Sequence, residues 1–327
     1  MGNIIGESYY YLKYFMRNKI KAKNDASDWV YEHYVGRPFW DTDTLNHKVA
    51  EQIISGKPFM MGRFGSVELF NMRVDEFHQN SKAGKACEQL NTCAGFFPED
   101  VSLLPRFNEV MKDACREVDV LGVWQQPCED YFIKKYCTSL QATARLVSIE
   151  PWRNPFPWSS ALEGKRVLVI HPFEESIHNH FANRDKLFPG TSILPPFTLI
   201  TLKAVQTAGN ATDSRFANWF EALDWMCQEC EKIDFDIALV GCGAYGFPLA
   251  AHIKKMGKQA IHLGGCLQIL FGIKGRRWDE MEPDIVAMYN DYWDYPLARE
   301  IPQGSGGIEG STYWKKESEN ENEESNG

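Results

Sequence analysis

No stretch of the chain reaches the roughly 18–20 consecutive apolar residues of a membrane-spanning helix, which excludes a helical membrane bundle. Nor is there a basic excess: 35 Lys and Arg face 44 Asp and Glu, a formal net charge of −9 and the wrong sign for a nucleic-acid binder. A disulfide framework is missing as well. The nine cysteines are odd in number and irregular in spacing, no signal-peptide pattern precedes them, and they read as reduced thiols in a cytosolic protein. Cys227 and Cys230 form a CxxC with no second pair at zinc spacing, inside a helical pattern over residues 216–233 that can bury both. No internal repeat is found.

Against these absences stand 327 residues that are 44% apolar and 13% aromatic, enough for one large core or two modest ones. Apolar segments of strand length alternate with helical patterns. Strands are expected over residues 59–62, 118–124, 144–149, 166–170, 197–202, 236–240 and 259–263. Helices are expected over 44–54, 67–77, 83–90, 98–117, 129–139, 174–183, 214–232 and 247–255, with Asp43 and Ser66 capping the first two. This alternation predicts an α/β fold: a mostly parallel sheet with helices on both faces, plus an N-terminal helical extension over residues 1–41. Residues 42–300 form the α/β domain, and its aromatic, proline-rich stretch near 150–163 can join two halves. Residues 301–327 are expected to be a disordered acidic tail, in which Glu317, Glu319, Glu321, Glu323 and Glu324 outweigh Lys315 and Lys316. In the extension, Tyr9, Tyr10, Tyr11, Leu12, Tyr14, Phe15 and Met16 precede Arg17, Lys19, Lys21 and Lys23. Such a helix either docks on its own core or makes a peripheral contact with an anionic membrane surface.

Open parallel sheets bind ligands beyond the carboxyl ends of their strands. Four expected strand ends carry small or polar residues: 63–68, 171–176, 241–246 and 264–268. The third says most. Gly241, Gly243 and Gly246, with Tyr245 among them, separate an apolar strand from a helix. Glycines so placed permit a tight turn and close backbone approach, and the N–H groups at the helix start favour a phosphate or diphosphate. A dinucleotide fingerprint would add an Asp or Glu about 20 residues on. The next strand ends instead in Gly264, Gly265 and Cys266. A tight turn of purely structural use is the bland alternative.

At these residues the chain resembles the GT-D class of glycosyltransferases, a Rossmann-like family once known as a domain of unknown function, in its polysaccharide-associated branch. The likeness lies in Gly62-Arg63-Phe64-Gly65-Ser66-Val67-Glu68-Leu69, in the segment from Val169 to Ser176, and most specifically in the block from Val240 through Gly264 and Gly265 to Trp278. It covers roughly residues 45–295. The resemblance implies transfer of a sugar from a UDP-sugar, helped by Mn²⁺ or Mg²⁺ at an Asp-x-Glu motif. Glu68 matches the Glu of that motif, while Ser66 stands where the Asp belongs, and a serine hydroxyl is a poorer metal ligand than a carboxylate.

Departure of a nucleoside diphosphate develops negative charge that cations, a metal or backbone N–H groups must stabilise. Arg63, in the turn with Gly65 and Ser66, is a candidate for that charge. Gly241, Gly243, Tyr245, Gly246, Gly264 and Gly265 shape the binding loops, and Gln268 could read a base edge or hydroxyl. Lys274, Arg276 and Arg277 form a basic cluster suited to a diphosphate or to nothing but solvent. Trp278 stacks on a ring or packs in the core. His171, Glu174 and Glu175 are the candidates for a general base, and Glu68 for a metal ligand. The expectation is a cytoplasmic glycosyltransferase with a nucleotide-sugar donor and a glycan or polysaccharide acceptor, membrane-associated if the N-terminal helix contacts a bilayer surface. A nucleotide-dependent oxidoreductase and a non-catalytic component of a glycan-synthesis assembly are the alternatives.

Overall fold

The structure is a computed structural model that describes residues 2–24, 27–302 and 312–315, with side chains from Ser8 to Lys19 and from Trp29 onward. One sheet of eight strands organises them: β1 (Phe39–Trp40), β2 (Phe59–Arg63), β3 (Val120–Val123), β4 (Ala142–Arg145), β5 (Arg166–His171), β6 (Thr198–Lys203), β7 (Ile237–Val240) and β8 (Gln259–His262). Their order is β1-β4-β3-β2-β8-β7-β5-β6, and every pairing is parallel. The sheet is thus more uniform than the mostly parallel one expected.

Parallel strands covered on both faces are apolar throughout, because consecutive side chains enter opposite cores. In β7, Ile237 and Leu239 join one core and Ala238 and Val240 the other. β5 divides in the same way, Val167 and Val169 against Leu168 and Ile170. The first core is closed by the helices Ser66–Glu76, Leu104–Cys115, Trp219–Lys232 and Gly246–Lys255, the second by Thr42–Ser55, Glu174–Phe181 and the buried Trp158.

From β2 the chain moves outward to β3 and β4. From β5 it moves the other way to β6, and β7 and β8 then fill the middle. Crevices open where such directions diverge. The carboxyl ends of β2, β8, β7 and β5 therefore lie side by side at the centre of the molecule.

Several boundaries differ from expectation, each for a local reason. Asp41, not Asp43, caps the helix Thr42–Ser55: its carboxylate accepts from Thr44 N at 2.7 Å, while Asp43 accepts from Asn154 Nδ2 at 2.6 Å. Gly65, not Ser66, is the N-cap of Ser66–Glu76, and no side chain caps it. The strand expected over 144–149 ends at Arg145, and Leu146–Ile149 is a 3-10 turn packed over Gly122. The helix expected from 214 begins at Trp219, where Asn218 Oδ1 accepts from Phe220 N and Glu221 N.

The termini also differ. The helix Gly2–Asn24 docks by one side: Lys13 and Arg17 both reach Asp130, at 2.8 and 2.9 Å, and Tyr10 meets Tyr131 edge to face. Its outer side exposes Tyr9, Leu12, Phe15 and Met16, and no described helix is long and apolar enough to cross a membrane. Of the expected tail, residues 303–311 and 316–327 lie outside the described residues. Thr312–Lys315, however, is a packed segment with Trp314 only 3% exposed, which corrects the expectation of disorder there.

Candidate functional site

β2 delivers Arg63 to the carboxyl edge of the sheet, and Phe64 behind it is fully buried against Phe247 at 5.0 Å. The Arg63 guanidinium donates from Nε and Nη2 to Phe64 O at 3.3 and 3.2 Å. It lies 5.3 Å from the Trp124 ring at the end of β3 and borders Gly264 after β8. It forms no ion pair with a carboxylate among the described residues. Glu68, in the first turn of the next helix, folds its carboxylate back over Gly65, so that any side chain at 65 would collide with it.

A cleft with two lobes opens here. Arg63, Gly65, Ser66, Glu68, Trp124, His262, Gly264 and Arg277 line the polar lobe. His171, Phe173, Tyr245, Gln268 and Trp314 line the second, aromatic lobe. The lobes share the wall of Cys93, Ala94, Gly243, Gly265 and Tyr313. Arg63 and the glycine turn after β7 thus face one cleft.

The glycines allow this close assembly. Gly243 has φ +57°, and a Cβ on it would lie 2.7 Å from Ala94 O. Gly241 leaves room for Gly264 O, Gly246 for the His262 ring and Gly265 for the Tyr313 ring. Tyr245 is a brace: its ring stacks on Trp219 at 5.2 Å, and its hydroxyl meets Thr207 Oγ1 at 3.0 Å. Gln268 is a second brace. Its Nε2 donates to Ile273 O, Lys274 O and Tyr313 O, which holds the 312–315 segment over the cleft, and its buried Oε1 has no donor among the described residues.

Other candidates are placed differently. His171 lines the aromatic lobe, but Nδ1 accepts from Phe173 N at 3.0 Å, and burial pushes its pKa down to about 3. A neutral ring with Nδ1 as acceptor carries its proton on Nε2, so His171 is a hydrogen-bond donor and not the expected base. Glu174 accepts from Thr201 Oγ1 on β6 at 2.5 Å, and exposed Glu175 is held by Arg299, which lowers its pKa. Neither carboxylate lines the cleft. The acid of that region is Glu300, a buried residue that accepts from Glu175 N at 2.8 Å and Ser176 N at 3.1 Å and so caps the helix Glu174–Phe181.

Within the basic cluster, Arg276 pairs with Glu280 at 2.6 Å, and the Lys274 ammonium lies 5.2 Å from the Tyr289 ring. Arg277 is the member of the cluster that lines the cleft, and Lys274 and Arg276 do not. Trp278 is 4% exposed and packs as a core residue. His262 was not foreseen. It is buried at the cleft floor, its pKa pushed down to about 3 by burial and then by Arg63, and it is neutral.

The divalent cation implied by the family resemblance is tested by this donor set. Mg²⁺ can be held by one or two carboxylates together with substrate phosphates, so a single acid does not exclude it. The surroundings do not suit it. Among the described residues, Glu68 is the one carboxylate that lines the cleft, two guanidiniums line the same lobe, and no group of three or more His, Cys, Asp or Glu is arranged for a metal. Fixed positive charge where a cation would sit is the wrong sign.

Comparison with known proteins agrees with this architecture. Residues 40–270 match the model of the GT-D-like family, described as a GT-D fold-like domain. Two solved structures are similar over 83% of this chain and 95% of theirs. One is a selenomethionine-substituted domain of unknown function 1792 (12% identity, TM-score 0.46). The other is described as showing that this domain has a distinct glycosyltransferase fold (14% identity, TM-score 0.42). No curated protein matches.

Proposed function

The chain belongs to the GT-D-like family, and on that premise we propose that it is a glycosyltransferase that moves a sugar from a nucleotide-sugar, UDP-linked, to a hydroxyl of a glycan. One observation carries the reading. In a chain of net charge −9, Arg63 and Arg277 converge on a cleft at the carboxyl ends of the central strands, neither engaged by a carboxylate among the described residues. A cleft so charged selects an anion, and paired guanidiniums suit phosphate oxygens. The aromatic lobe beside it is lined by Phe173, Trp314 and Tyr313, side chains against which a ring can stack.

The chemistry follows from the same residues. The acceptor oxygen forms a bond to the anomeric carbon as the bond from that carbon to the diphosphate oxygen breaks. The electron pair leaves with the diphosphate, where Arg63 and Arg277 stabilise it. The acceptor's proton passes to Glu68, the carboxylate that lines the cleft among the described residues. His171 donates from Nε2 to a hydroxyl or phosphate oxygen and orients it. No step is routed through a metal.

A thermal-shift panel of UDP, GDP, CMP and NAD tests the reading, because a ligand that binds the native state raises its melting temperature. UDP should raise it most, and a UDP-sugar should be turned over when a glycan acceptor is added. A response to NAD alone would overturn the proposal in favour of an oxidoreductase. UDP binding with no turnover for any sugar and acceptor would point to the non-catalytic component.

A further inference from the structure

Resting on that reading of a nucleotide-diphosphate cleft, we propose that Arg63 and Arg277 together supply the charge that a divalent metal supplies in cation-dependent sugar transfer, so that the chain binds its nucleotide diphosphate without metal. The two guanidiniums enter one lobe from different elements: Arg63 from the end of β2, Arg277 from the short helix Arg276–Met281 beyond β8. Both act electrostatically on Cys266, as does Glu150, whose carboxylate is itself paired with Arg153. Neighbouring arginines are consumed: Arg276 by Glu280, Arg153 by Glu150 and Glu282, Arg299 by Glu175. Among the described residues no carboxylate pairs with Arg63 or Arg277.

Charge decides between metal and guanidinium. Two arginines less Glu68 leave one positive charge in the lobe, with His262 neutral. The diphosphate of a nucleotide-sugar carries two negative charges, so each guanidinium can pair with one phosphate. A divalent ion would have to enter beside both, with Glu68 as its one carboxylate. Arg63 is also fixed before any ligand arrives, between Phe64 O, the Trp124 face and Gly264, so little ordering remains to be done on binding. Ser66 completes the picture: a hydroxyl lies where a second acid would be needed to hold a cation.

The test is calorimetry of the full chain with UDP, in EDTA and in Mn²⁺. The affinity should agree within about twofold between the two buffers, a comparison that needs no variant. Arg277→Ala should weaken UDP by about tenfold or more in EDTA, as expected for loss of a charged hydrogen-bonding partner. Its melting temperature should not move, because Arg277 is exposed. Arg277→Lys, which keeps the charge but not the fork, should fall between. UDP binding that requires Mn²⁺ overturns this inference and leaves the glycosyltransferase reading standing. Wild-type affinity of Arg277→Ala in EDTA also overturns it. No UDP binding in either buffer overturns the parent reading itself.

Discussion

At position 243 two constraints require glycine: φ is +57°, and the space a Cβ would fill is bounded by Ala94 O at 2.7 Å. Gly243→Ala should therefore destabilise the chain by about 2 kcal/mol or more. Chemical denaturation measures this, and an unchanged midpoint would refute the geometry. Glu68 yields a kinetic prediction. Glu68→Gln keeps the shape that folds over Gly65 but removes the proton acceptor, so kcat should fall by about 10²–10⁴ with donor KM little changed. A rise in KM alone would make Glu68 a binding group. Arg63 and Gly243 were legible from their own positions, since a cation after a strand and a glycine in a strand–helix turn have few uses. Arg277 was not. Successive helical residues point about 100° apart, so which of three neighbouring cations meets the cleft depends on where the helix Arg276–Met281 starts.

Among elements, the loop after β3 has the greatest leverage on the cleft. Gln125 and Cys128 both have positive φ, at 62° and 66°, and the loop is held by buried Glu129, which accepts from Gln125 N at 2.6 Å, Gln126 N at 3.2 Å and Tyr34 Oη at 2.9 Å. Trp124 at its start is the face against which Arg63 lies. Glu129→Ala leaves these buried donors without an acceptor and should cost about 3 kcal/mol or more. UDP affinity should fall as well, because Arg63 loses its seat. Variant protein with wild-type melting temperature and UDP affinity would remove the loop from this role. The interior strands were visible in the sequence because burial on both faces leaves unbroken apolar runs. The two-residue edge strand β1, the 3-10 turn Leu146–Ile149 and the packed Thr312–Lys315 were not, because tertiary partners specify each of them. Thr312–Lys315 is held by Arg276 N, Arg277 N and Gln268 Nε2, which donate to its carbonyls.

For the molecule as a whole, the parallel sheet buries ionisable groups at its carboxyl edge, and this sets how stability responds to acid. His171 and His262 have pKa values near 3 in the folded state, lowered chiefly by burial, against about 6.5 when exposed. Below pH 6.5 the unfolded chain binds two protons that the folded chain does not, so the stabilisation from these neutral rings is full above 6.5 and is lost as pH falls toward 3. Glu129 acts in the opposite sense. Burial raises its pKa to about 7, against about 4.3 when exposed, so the folded state binds its proton first, and acidification from 7 to about 4.3 is stabilising. Between pH 6.5 and about 4.3 these two histidines outweigh Glu129 by a single proton, and His180, whose pKa burial also lowers, adds to the same side. Below that, Glu129 no longer opposes the two imidazoles. Unfolding free energy measured by urea titration should therefore decline gently from pH 6.5 and more steeply below about 4.3. In His262→Gln, which retains a polar side chain but cannot titrate, the decline should lessen by up to one proton's worth of slope, about 1.4 kcal/mol per pH unit. A slope identical to wild type across pH 3–6 would mean that His262 accepts a proton in the folded chain. The neutral floor beneath Arg63, on which the charge balance of the cleft depends, would then be lost.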